Sequence, residues 1–378
     1  MLCSSVACVD HATLLRRLVA SYGLDGCAIS WFQSYLEGRT QYVRCRSSCS
    51  SPTRLLCGVP QGSVLGPILF LLYTAELLQL IQSHDLHPHL YADDTQIYGF
   101  CRPSATAQLQ NRMITCIDNV SSWMRSNRLQ LNTAKTEVMW CASARRQHQL
   151  PDEPMMIGSD VVSPTHCVRS LGIYVDSALT MTSHVAKTVS GCFAALRQIR
   201  SIRRSVTRPV LQSLVASLVL SRLDYGLCTL AGLPARQLNR LQSVLNAAAR
   251  LVCSARKYDH ITPLLKELHW LRIPQRIQYR LALLTYRCLH GQAPRYLADE
   301  LRRTSDVESR QRLRSASTAS LVVPATRRST IGDRAFPVAA ARTWNSLPAD
   351  VMSLSSLPAF KKRLKTELFR HSYPDTGH

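Results

Sequence analysis

The chain has 378 residues, of which 46% are hydrophobic and 19% charged, and its formal net charge is +22 at neutral pH. A chain of this length and apolar content buries a substantial core and divides into two or three units, which excludes a wholly disordered tail. Residues 1–100 carry six basic and seven acidic side chains, whereas residues 101–378 carry 40 and 17, a net charge of +23. So basic a segment favours a polyanionic partner, because neutralised phosphates release counterions; an Arg-rich composition that serves solubility alone is the alternative.

The cysteines and the apolar runs of the sequence restrict the cellular compartments in which the protein is expected. The fourteen cysteines are scattered, without a Cys-x-x-Cys pair or Cys/His clusters at zinc spacing. No cleavable signal peptide is recognised, so we expect an intracellular protein with buried free thiols, in the nucleus or the cytoplasm. The longest apolar run, residues 64–75, is interrupted by Gly66 and Pro67 and is too short to span a bilayer, so no membrane partner is expected.

The first hundred residues alternate helical and strand-like patterns. Helical spacing on both sides of a break at residues 23–26 predicts two short helices. Strand-like residues 41–45, a Ser/Cys-rich turn and a second strand at 54–57 predict a hairpin. It leads into a Pro-Gln-Gly bend and a helix over about 66–83, with glycine and proline in its cap and first turn.

A pair of aspartates follows this helix. Residues 89–98 place strand formers on both sides of Asp93 and Asp94, which predicts a hairpin with both carboxylates at its tip. A helix is predicted from about 104 to 128, and residues 138–140 predict another strand. This order predicts an α+β fold, with an antiparallel sheet and helices on one of its faces.

The pattern changes beyond residue 150. Arginines lie between apolar ridges in long helical stretches that begin near Ser183, which predicts a separate, basic, helical domain. The predicted elements are short strands near 156–157 and 170–175, helices at 211–225 and 237–253, a Ser/Thr/Arg-rich linker at 304–329 and an amphipathic helix at 360–369.

Two motifs in the first unit indicate phosphoryl transfer. Two adjacent carboxylates on a strand–turn–strand can hold a divalent metal, and the bend that opens a helix at residues 58–70 can shape a nucleotide pocket. An Asp-Asp pair arises by chance roughly once in a chain of this length. The weight therefore rests on its context, which is the flanking strands, the glycine-rich bend and the basic half of the chain.

These motifs resemble those of a known family. Residues 58–70 resemble motif B, and Tyr91-Ala92-Asp93-Asp94 resembles motif C, of the reverse transcriptases of non-LTR, LINE-type retrotransposons. Further segments resemble other parts of the same proteins and extend the resemblance over nearly the whole chain: 131–137 (motif D), 171–173 with His184 (motif E and its sequel), and 221–225, 268–271 and 344–348 (beyond the polymerase core).

The resemblance implies roles for motif C. Asp93 would bind catalytic Mg²⁺ and Asp94 would support it, while Tyr91 and Ala92 would place the primer end. A two-metal displacement needs several hard oxygen ligands, so these two aspartates would contribute to the site without completing it.

The resemblance also implies roles in motifs B and D. Pro60, Gln61 and Gly62 would line the pocket for the template base and the incoming nucleotide, where glycine permits close backbone approach. Lys135 would protonate the departing pyrophosphate. Without the resemblance, a polar turn residue and a solvated lysine are the simpler interpretations of Gln61 and Lys135.

Motif A of the family is matched only in its last residues. Val9-Asp10-His11 matches its tail, and counting back places the family's second aspartate on Ala7, its aromatic on Val6 and its metal-binding aspartate on Met1. All three residue types are absent at these positions. Asp10 is better explained as a helix cap. We therefore expect a chain truncated at its N-terminus, without fingers, that alone does not polymerise DNA at a useful rate.

The expected architecture is a partial right-hand polymerase palm followed by a helical thumb and a C-terminal region. The expected units are 1–150 (partial palm), 151–182 (motif E-like hairpin), 183–303 (helical thumb-like domain) and 304–378 (basic linker and C-terminal segment). The expected function is RNA-directed DNA polymerisation with Mg²⁺, deoxynucleoside triphosphates, an RNA template and a DNA primer. The alternatives are a non-catalytic nucleic-acid-binding remnant or domesticated protein, and a chain left without function because loss of a central strand exposes a sheet edge.

Overall fold

The computed structural model describes residues 8–60, 62–306 and 319–374. Contacts divide the chain into two compact units, residues 1–171 and 172–378. The domain boundaries expected at 150, 182 and 303 stay predictions. The sequence interpretations of Met1, Val6, Ala7 and Gln61 concern positions outside the described residues, and so do residues 307–318 of the predicted linker.

The first unit contains five helices and nine short strands in the described residues. The helices are α1 (His11–Ala20), α2 (Gly26–Leu36), α3 (Leu65–Thr74), α4 (Glu76–Gln82) and α5 (Thr106–Ser126). The strands are β1 (Thr40–Gln41), β2 (Arg44–Cys45), β3 (Ser48–Cys49), β4 (Thr53–Arg54), β5 (His87–Tyr91), β6 (Asp94–Tyr98), β7 (Met155–Ile157), β8 (Asp160–Val162) and β9 (Cys167–Ser170).

Helices α1 and α2 confirm the prediction of two short helices around a break. Gly23, in the break, has a φ of +65°, a left-handed conformation that favours glycine. The predicted helix over 66–83 is also present, but it is divided into α3 and α4 at Ala75. Just before this division, the Thr74 hydroxyl donates a hydrogen bond to the Phe70 carbonyl, a local contact that bends helices.

Residues 65–82, which form α3 and α4, are long and apolar enough to cross a membrane by length and composition alone. Their buried side chains, among them Phe70 and Tyr73, lie in the apolar core of the first unit. Glu76, in the middle of the segment, forms an ion pair of 2.6 Å with Arg17 of α1. These contacts are typical of a core helix, whose polar residues are paired inside the protein.

Two strand predictions need correction. Residues 138–140 form no strand, because Val138 makes only an isolated bridge to Pro164, and proline has no N–H with which to extend a ladder. The hairpin at 41–57 is present but interrupted, with β1 paired to β4 and β2 paired to β3. The Ser50 hydroxyl accepts from the Val43 N–H in place of a strand partner, which separates the two ladders.

Of the remaining strands of the first unit, β5 pairs with β6 and β7 pairs with β8, both antiparallel. Helices and small antiparallel sheets together confirm the α+β class at that level. The described strands of this unit form separate two-stranded pairs, so the predicted single sheet with helices on one face is not formed within them. The palm and thumb assignments stay predictions.

The second unit is mainly helical. Its described elements are β10 (Ile173–Asp176), α6 (Thr182–Ile202), α7 (Arg208–Val215), α8 (Ser221–Asp224), α9 (Ala235–Val252), α10 (Ile261–Glu267), α11 (Ile273–Leu289), α12 (Arg295–Ala298), α13 (Ser329–Gly332), α14 (Phe336–Asn345), α15 (Ala349–Met352) and α16 (Leu357–Ser372). The predicted helices at 237–253 and 360–369 correspond to α9 and α16. The one predicted at 211–225 is divided by a π-helical turn at 216–220.

Two apolar clusters hold the second unit together. The larger joins α6, α7, α9 and α11, and the smaller surrounds Trp344 and Phe360. Asp224 accepts hydrogen bonds of 2.9 and 2.6 Å from the guanidinium of Arg276 and pairs with Arg280 at 3.2 Å. The side chains of Asp224 and Arg276 are poorly exposed, and such charges are costly unless they are paired. This cluster therefore has a structural role.

Candidate active site

The hairpin of β5 and β6 presents the two aspartates. Tyr91 pairs with Asp94, so Ala92 and Asp93 form a two-residue turn. Ala92 has a φ of +51°, the left-handed conformation that tight hairpin turns require. Asp93 therefore lies in the turn itself and Asp94 at the first position of β6. The structure brings the two carboxylates to the tip of a hairpin, as the strand-forming flanks predict.

Alternation along the strands gives the hairpin an inner and an outer face. Leu90 and Ile97 pack against the apolar core of the first unit. The outer face carries Tyr91, 64% exposed, and Gln96, whose side-chain amide donates a hydrogen bond to the Ser170 hydroxyl of β9. Both aspartates at the tip are half-buried. In the described part of the chain, neither carboxylate has an ion-pair or hydrogen-bond partner, which leaves their oxygens available to a metal.

The bend before α3 is held by hydrogen bonds at both ends. The Gly58 N–H donates to the Val9 carbonyl at 2.7 Å, and a His11 ring nitrogen lies 2.7 Å from the Gly58 carbonyl oxygen. The Ser63 hydroxyl donates to the Pro60 carbonyl at 2.7 Å and accepts from the Gly66 N–H at 2.9 Å. The residues that match the tail of motif A thus position the start of the bend.

Glycine is required at two positions of this bend. Gly62 has a φ of +82°, and a Cβ at Gly66 would lie 2.8 Å from the Pro60 carbonyl oxygen. Side chains are therefore excluded where the backbone turns into α3. Pro60 and Gly62 are described and lie in one bend, whereas the placement of Gln61 lies outside the described residues.

The segment that follows Lys135 lies close to β6. Lys135 ends a short 3₁₀ turn, residues 133–135, and its side chain is exposed. The residues after it line a cavity of about 160 Å³ together with β6, α5 and β7. The lining residues are Thr95, Ile97, Met113, Ile117, Val120, Leu131, Thr136, Glu137, Val138, Met139 and Met155. The structure therefore brings the Lys135 segment beside the strand that begins with Asp94.

The acidic residues fit a divalent metal only in part. Mg²⁺ takes oxygen ligands and is often held by one or two carboxylates together with water and substrate phosphates. Asp93 and Asp94 supply two such carboxylates. Within residues 8–60, 62–306 and 319–374, no group of three or more His, Cys, Asp or Glu side chains is placed to hold a metal ion. A two-metal site would need a further carboxylate.

Asp10 has a structural role. Its carboxylate accepts hydrogen bonds from the Thr13 N–H at 3.0 Å and the Thr13 hydroxyl at 2.8 Å, which caps α1. It also pairs with Arg128 at 2.9 Å. Burial acts to raise the pKa of the Asp10 carboxyl, but the Thr13 hydrogen bonds and Arg128 outweigh it, so the pKa lies below its usual value. The interpretation of Asp10 as a helix cap is confirmed.

The sequence was compared with known protein families and with curated proteins. Residues 7–175 match the family described as reverse transcriptase (RNA-dependent DNA polymerase). The chain is 28% identical over 256 residues to the probable RNA-directed DNA polymerase from transposon BS of Drosophila melanogaster, and 27% identical over 244 residues to that from transposon X-element. It is 29% identical over 161 residues to the RNA-directed DNA polymerase from mobile element jockey of Drosophila funebris.

Residues 7–175 thus resemble a reverse transcriptase domain, and the relatives are RNA-directed DNA polymerases of transposons and mobile elements, which supports a LINE-type reverse transcriptase. The alignments cover 65%, 62% and 40% of the chain but only 28%, 26% and 17% of the three relatives. The chain thus spans about a quarter of the length of the relatives it matches over the longest stretches.

The reverse transcriptase domain holds one residue whose role the sequence interpretation missed. His11 stands in the stretch that resembles the tail of motif A, and the structure shows that its ring contacts the Gly58 carbonyl across 47 residues of sequence. The position of His11 directly after the helix cap Asp10 was the local sequence signal that could have drawn attention to it. The long-range contact was not accessible from spacing, because periodicity describes neighbours within one element.

Proposed function

We propose that the described domain forms part of the active site of an RNA-directed DNA polymerase, which extends a DNA primer on an RNA template with deoxynucleoside triphosphates. The observation that carries this proposal is the β5–β6 hairpin, whose tip presents Asp93 and Asp94 without partners in the described residues. Asp93 would bind Mg²⁺, Asp94 would support it, and Tyr91 and Ala92 would hold the primer end.

The bend and the Lys135 segment support this assignment. Pro60, Gln61 and Gly62 would form the pocket for the template base and the nucleotide, since the glycines of the bend keep side chains out of it. Lys135 is exposed, and the residues after it line a cavity with β6, so an exposed ammonium at this position could protonate pyrophosphate as it departs. Bound Mg²⁺ would supply charge stabilisation to the attacking and leaving oxygens.

We further propose that residues 1–378 alone polymerise poorly, because their described part supplies two carboxylates where the two-metal reaction needs three. Primer extension on an RNA template, with Mg²⁺ or Mn²⁺, tests this with the purified chain. A second chain with Asp at position 7 and an aspartate-bearing motif A placed before it should gain synthesis. Efficient, Asp93-dependent synthesis by the unaltered chain would contradict the proposed deficiency.

The same assay tests the site. In a chain that polymerises, Asp93→Asn should lower the rate by roughly 10²–10³, the cost of losing one preorganised electrostatic group. Asp118→Asn is the matched control, because Asp118 is an exposed aspartate on α5 of the same unit. Equal losses in both variants would remove the special role assigned to Asp93.

A non-catalytic nucleic-acid-binding protein is the second candidate function. It is favoured by the net charge of +23 on residues 101–378, which suits a polyanion. Binding to RNA or DNA that weakens steeply with salt, together with primer extension that stays absent after motif A is restored, would support this function over polymerisation.

A further inference from the structure

The positive charge of the first hundred residues is concentrated in one short ribbon. We define the arginine arm as residues 38–57, which contain four arginines and no aspartate or glutamate. Over residues 1–100 the net charge is −1, so the arm is a basic island in an otherwise acidic segment. The arginines are Arg39, Arg44, Arg46 and Arg54.

The arm is a two-stranded ribbon that is exposed along almost its whole length. Thr40 pairs with Arg54 near its base, and Arg44 pairs with Cys49 near its tip. The seven residues from 40 to 46 extend over about 20 Å at the rise of a strand. Tyr42 and Val43 lie between the arginines and are 59% and 73% exposed. So exposed a ribbon is not explained by a role in the core.

The arginines of the ribbon are free to take an anion. In the described residues, no carboxylate pairs with Arg44, Arg46 or Arg54, whereas three other arginines of this unit each pair with a carboxylate: Arg17, Arg112 and Arg128. Glu37, just before the arm, accepts a hydrogen bond from Gln33 instead. Three arginines without a paired carboxylate concentrate positive charge on the ribbon, which a polyanion would offset.

An aromatic stack lies at the base of the arm. The rings of Trp31 and Tyr35, one turn apart on α2, are parallel within 9° with centroids 5.4 Å apart. The Arg39 guanidinium lies 5.6 Å from the centroid of the Tyr35 ring. Trp31 is 53% exposed. An exposed aromatic ring, held by a stacked neighbour and close to an arginine, is the kind of element from which proteins build platforms for unpaired bases.

We propose that the arginine arm and the Trp31–Tyr35 stack form a binding surface for a single strand of nucleic acid. The arm's arginines contact the phosphates, and an unpaired base stacks on Trp31. The aromatic platform decides for a single strand, because the bases of a duplex are stacked on each other and do not offer a free face. That the bound polyanion is a nucleic acid rests on the proposed function.

Fluorescence anisotropy with the whole chain tests the arm in EDTA, where polymerisation cannot occur. The probes are fluorescein-labelled 20-nucleotide oligo(U) and oligo(dT), titrated at several salt concentrations. For single strands, each lost phosphate contact reduces the slope of log K against log salt by about 0.7. Arg44→Gln with Arg46→Gln should therefore reduce it by about 1.4. Arg145→Gln with Arg146→Gln, two exposed arginines elsewhere in this unit, is the control with the same loss of charge.

The slopes of the variants distinguish binding by the arginine arm from nonspecific attraction to the positive charge of the whole chain. Replacing Arg44 and Arg46 by lysine should keep the slope, which shows that the glutamine variants lost charge and not their fold. Equal slope reductions in the arm and control variants would overturn the proposal, as would no reduction in either. The oligonucleotide on which the arm variant loses more affinity identifies the strand as RNA or DNA, and a loss on either supports the surface.

The stack is tested separately. Trp31→Ala should weaken binding about 5- to 100-fold with the salt slope unchanged, because a base–aromatic contact carries no net charge. Tyr258→Ala removes an aromatic that is 88% exposed in the other unit and should leave binding unchanged. If Trp31→Ala weakened binding to a 20-base-pair duplex as much as binding to the single strands, the single-strand assignment would be refuted. Binding is measured in EDTA without deoxynucleotides, so a failure of the polymerase proposal does not affect the interpretation of this result.

Discussion

Substitution of Asp10 separates a helix cap from a metal ligand. Serine retains an oxygen that can accept from the Thr13 N–H, as serine does at many helix N-termini, but it has no charge. Alanine has neither. If Asp10 acts as the cap that its contacts with Thr13 and Arg128 indicate, Asp10→Ala should loosen α1 and Asp10→Ser should keep it closed.

The magnitude follows from the contacts of Asp10. Loss of a capping side chain costs about 1 kcal/mol. Arg128 is 72% exposed, so its ion pair with Asp10 adds only about 0.5 kcal/mol. Asp10→Ala therefore destabilises α1 by about 1.5 kcal/mol, which makes its opening about tenfold more frequent. Asp10→Ser loses the ion pair alone, which corresponds to an increase of about two- to threefold.

Amide hydrogen exchange of peptides that cover α1, measured in the whole chain, reports this opening directly. The lowered pKa of Asp10 fixes the sign of the pH dependence. The carboxylate contributes stability above its unfolded value of about 4, and this contribution is lost as the pH falls through the lower folded value. The difference between wild type and Asp10→Ala should shrink in that window. Serine as damaging as alanine would refute the assignment of a cap.

Two further predictions concern the second unit. Asp224→Asn should destabilise the packing of α8 on α11 by about 2–3 kcal/mol, because Arg276 would keep a poorly exposed charge without its partner. Asp350→Asn, which breaks a more exposed pair with Arg363, should have a clearly smaller effect in the same exchange measurement. Burial lowers the pKa of His184, so the neutral ring stabilises the fold above about pH 6.5 and this stability is lost as the pH falls through the folded value. His184→Gln should flatten the decrease in thermal midpoint between pH 7 and pH 5, and an unchanged decrease would contradict this role.

Local sequence signals predicted the elements whose stability is local. The break at Gly23, the Asp10 cap and the turn at Asp93 each depend on backbone preferences of one or two residues, and each is present in the structure. Spacing also predicted the helix over about 104–128, which corresponds to α5. These features lie within one element, where periodicity and turn chemistry decide the conformation.

Features that depend on distant partners were not predicted correctly. Residues 138–140 have strand-forming side chains, but their partner is Pro164, which cannot continue a ladder. The hairpin at 41–57 is interrupted because Ser50 competes for the Val43 N–H. The sequence contains the competing residues, but their pairing is a tertiary result that spacing does not encode.

The support of the β5–β6 hairpin bears directly on the proposed catalysis. A two-stranded hairpin is marginally stable alone, and no third strand pairs with β5 or β6 among the described residues. Leu90 and Ile97 anchor its inner face, and the hydrogen bond from Gln96 to Ser170 restrains its outer face. Two-metal chemistry needs carboxylates held to within about 0.5 Å, and side chains on helices and strands are held more precisely than side chains on loops.

Substrate and metal would therefore have to order the tip that carries Asp93 and Asp94. Mg²⁺ binding to the whole chain should slow amide exchange at residues 91–94 in the wild type and leave it unchanged in Asp93→Asn. Since Gln96 links the hairpin to β9, Gln96→Ala should raise exchange at the tip before metal is added and weaken the metal's effect. A tip already rigid without metal would show that the inner-face contacts alone preorganise the two carboxylates.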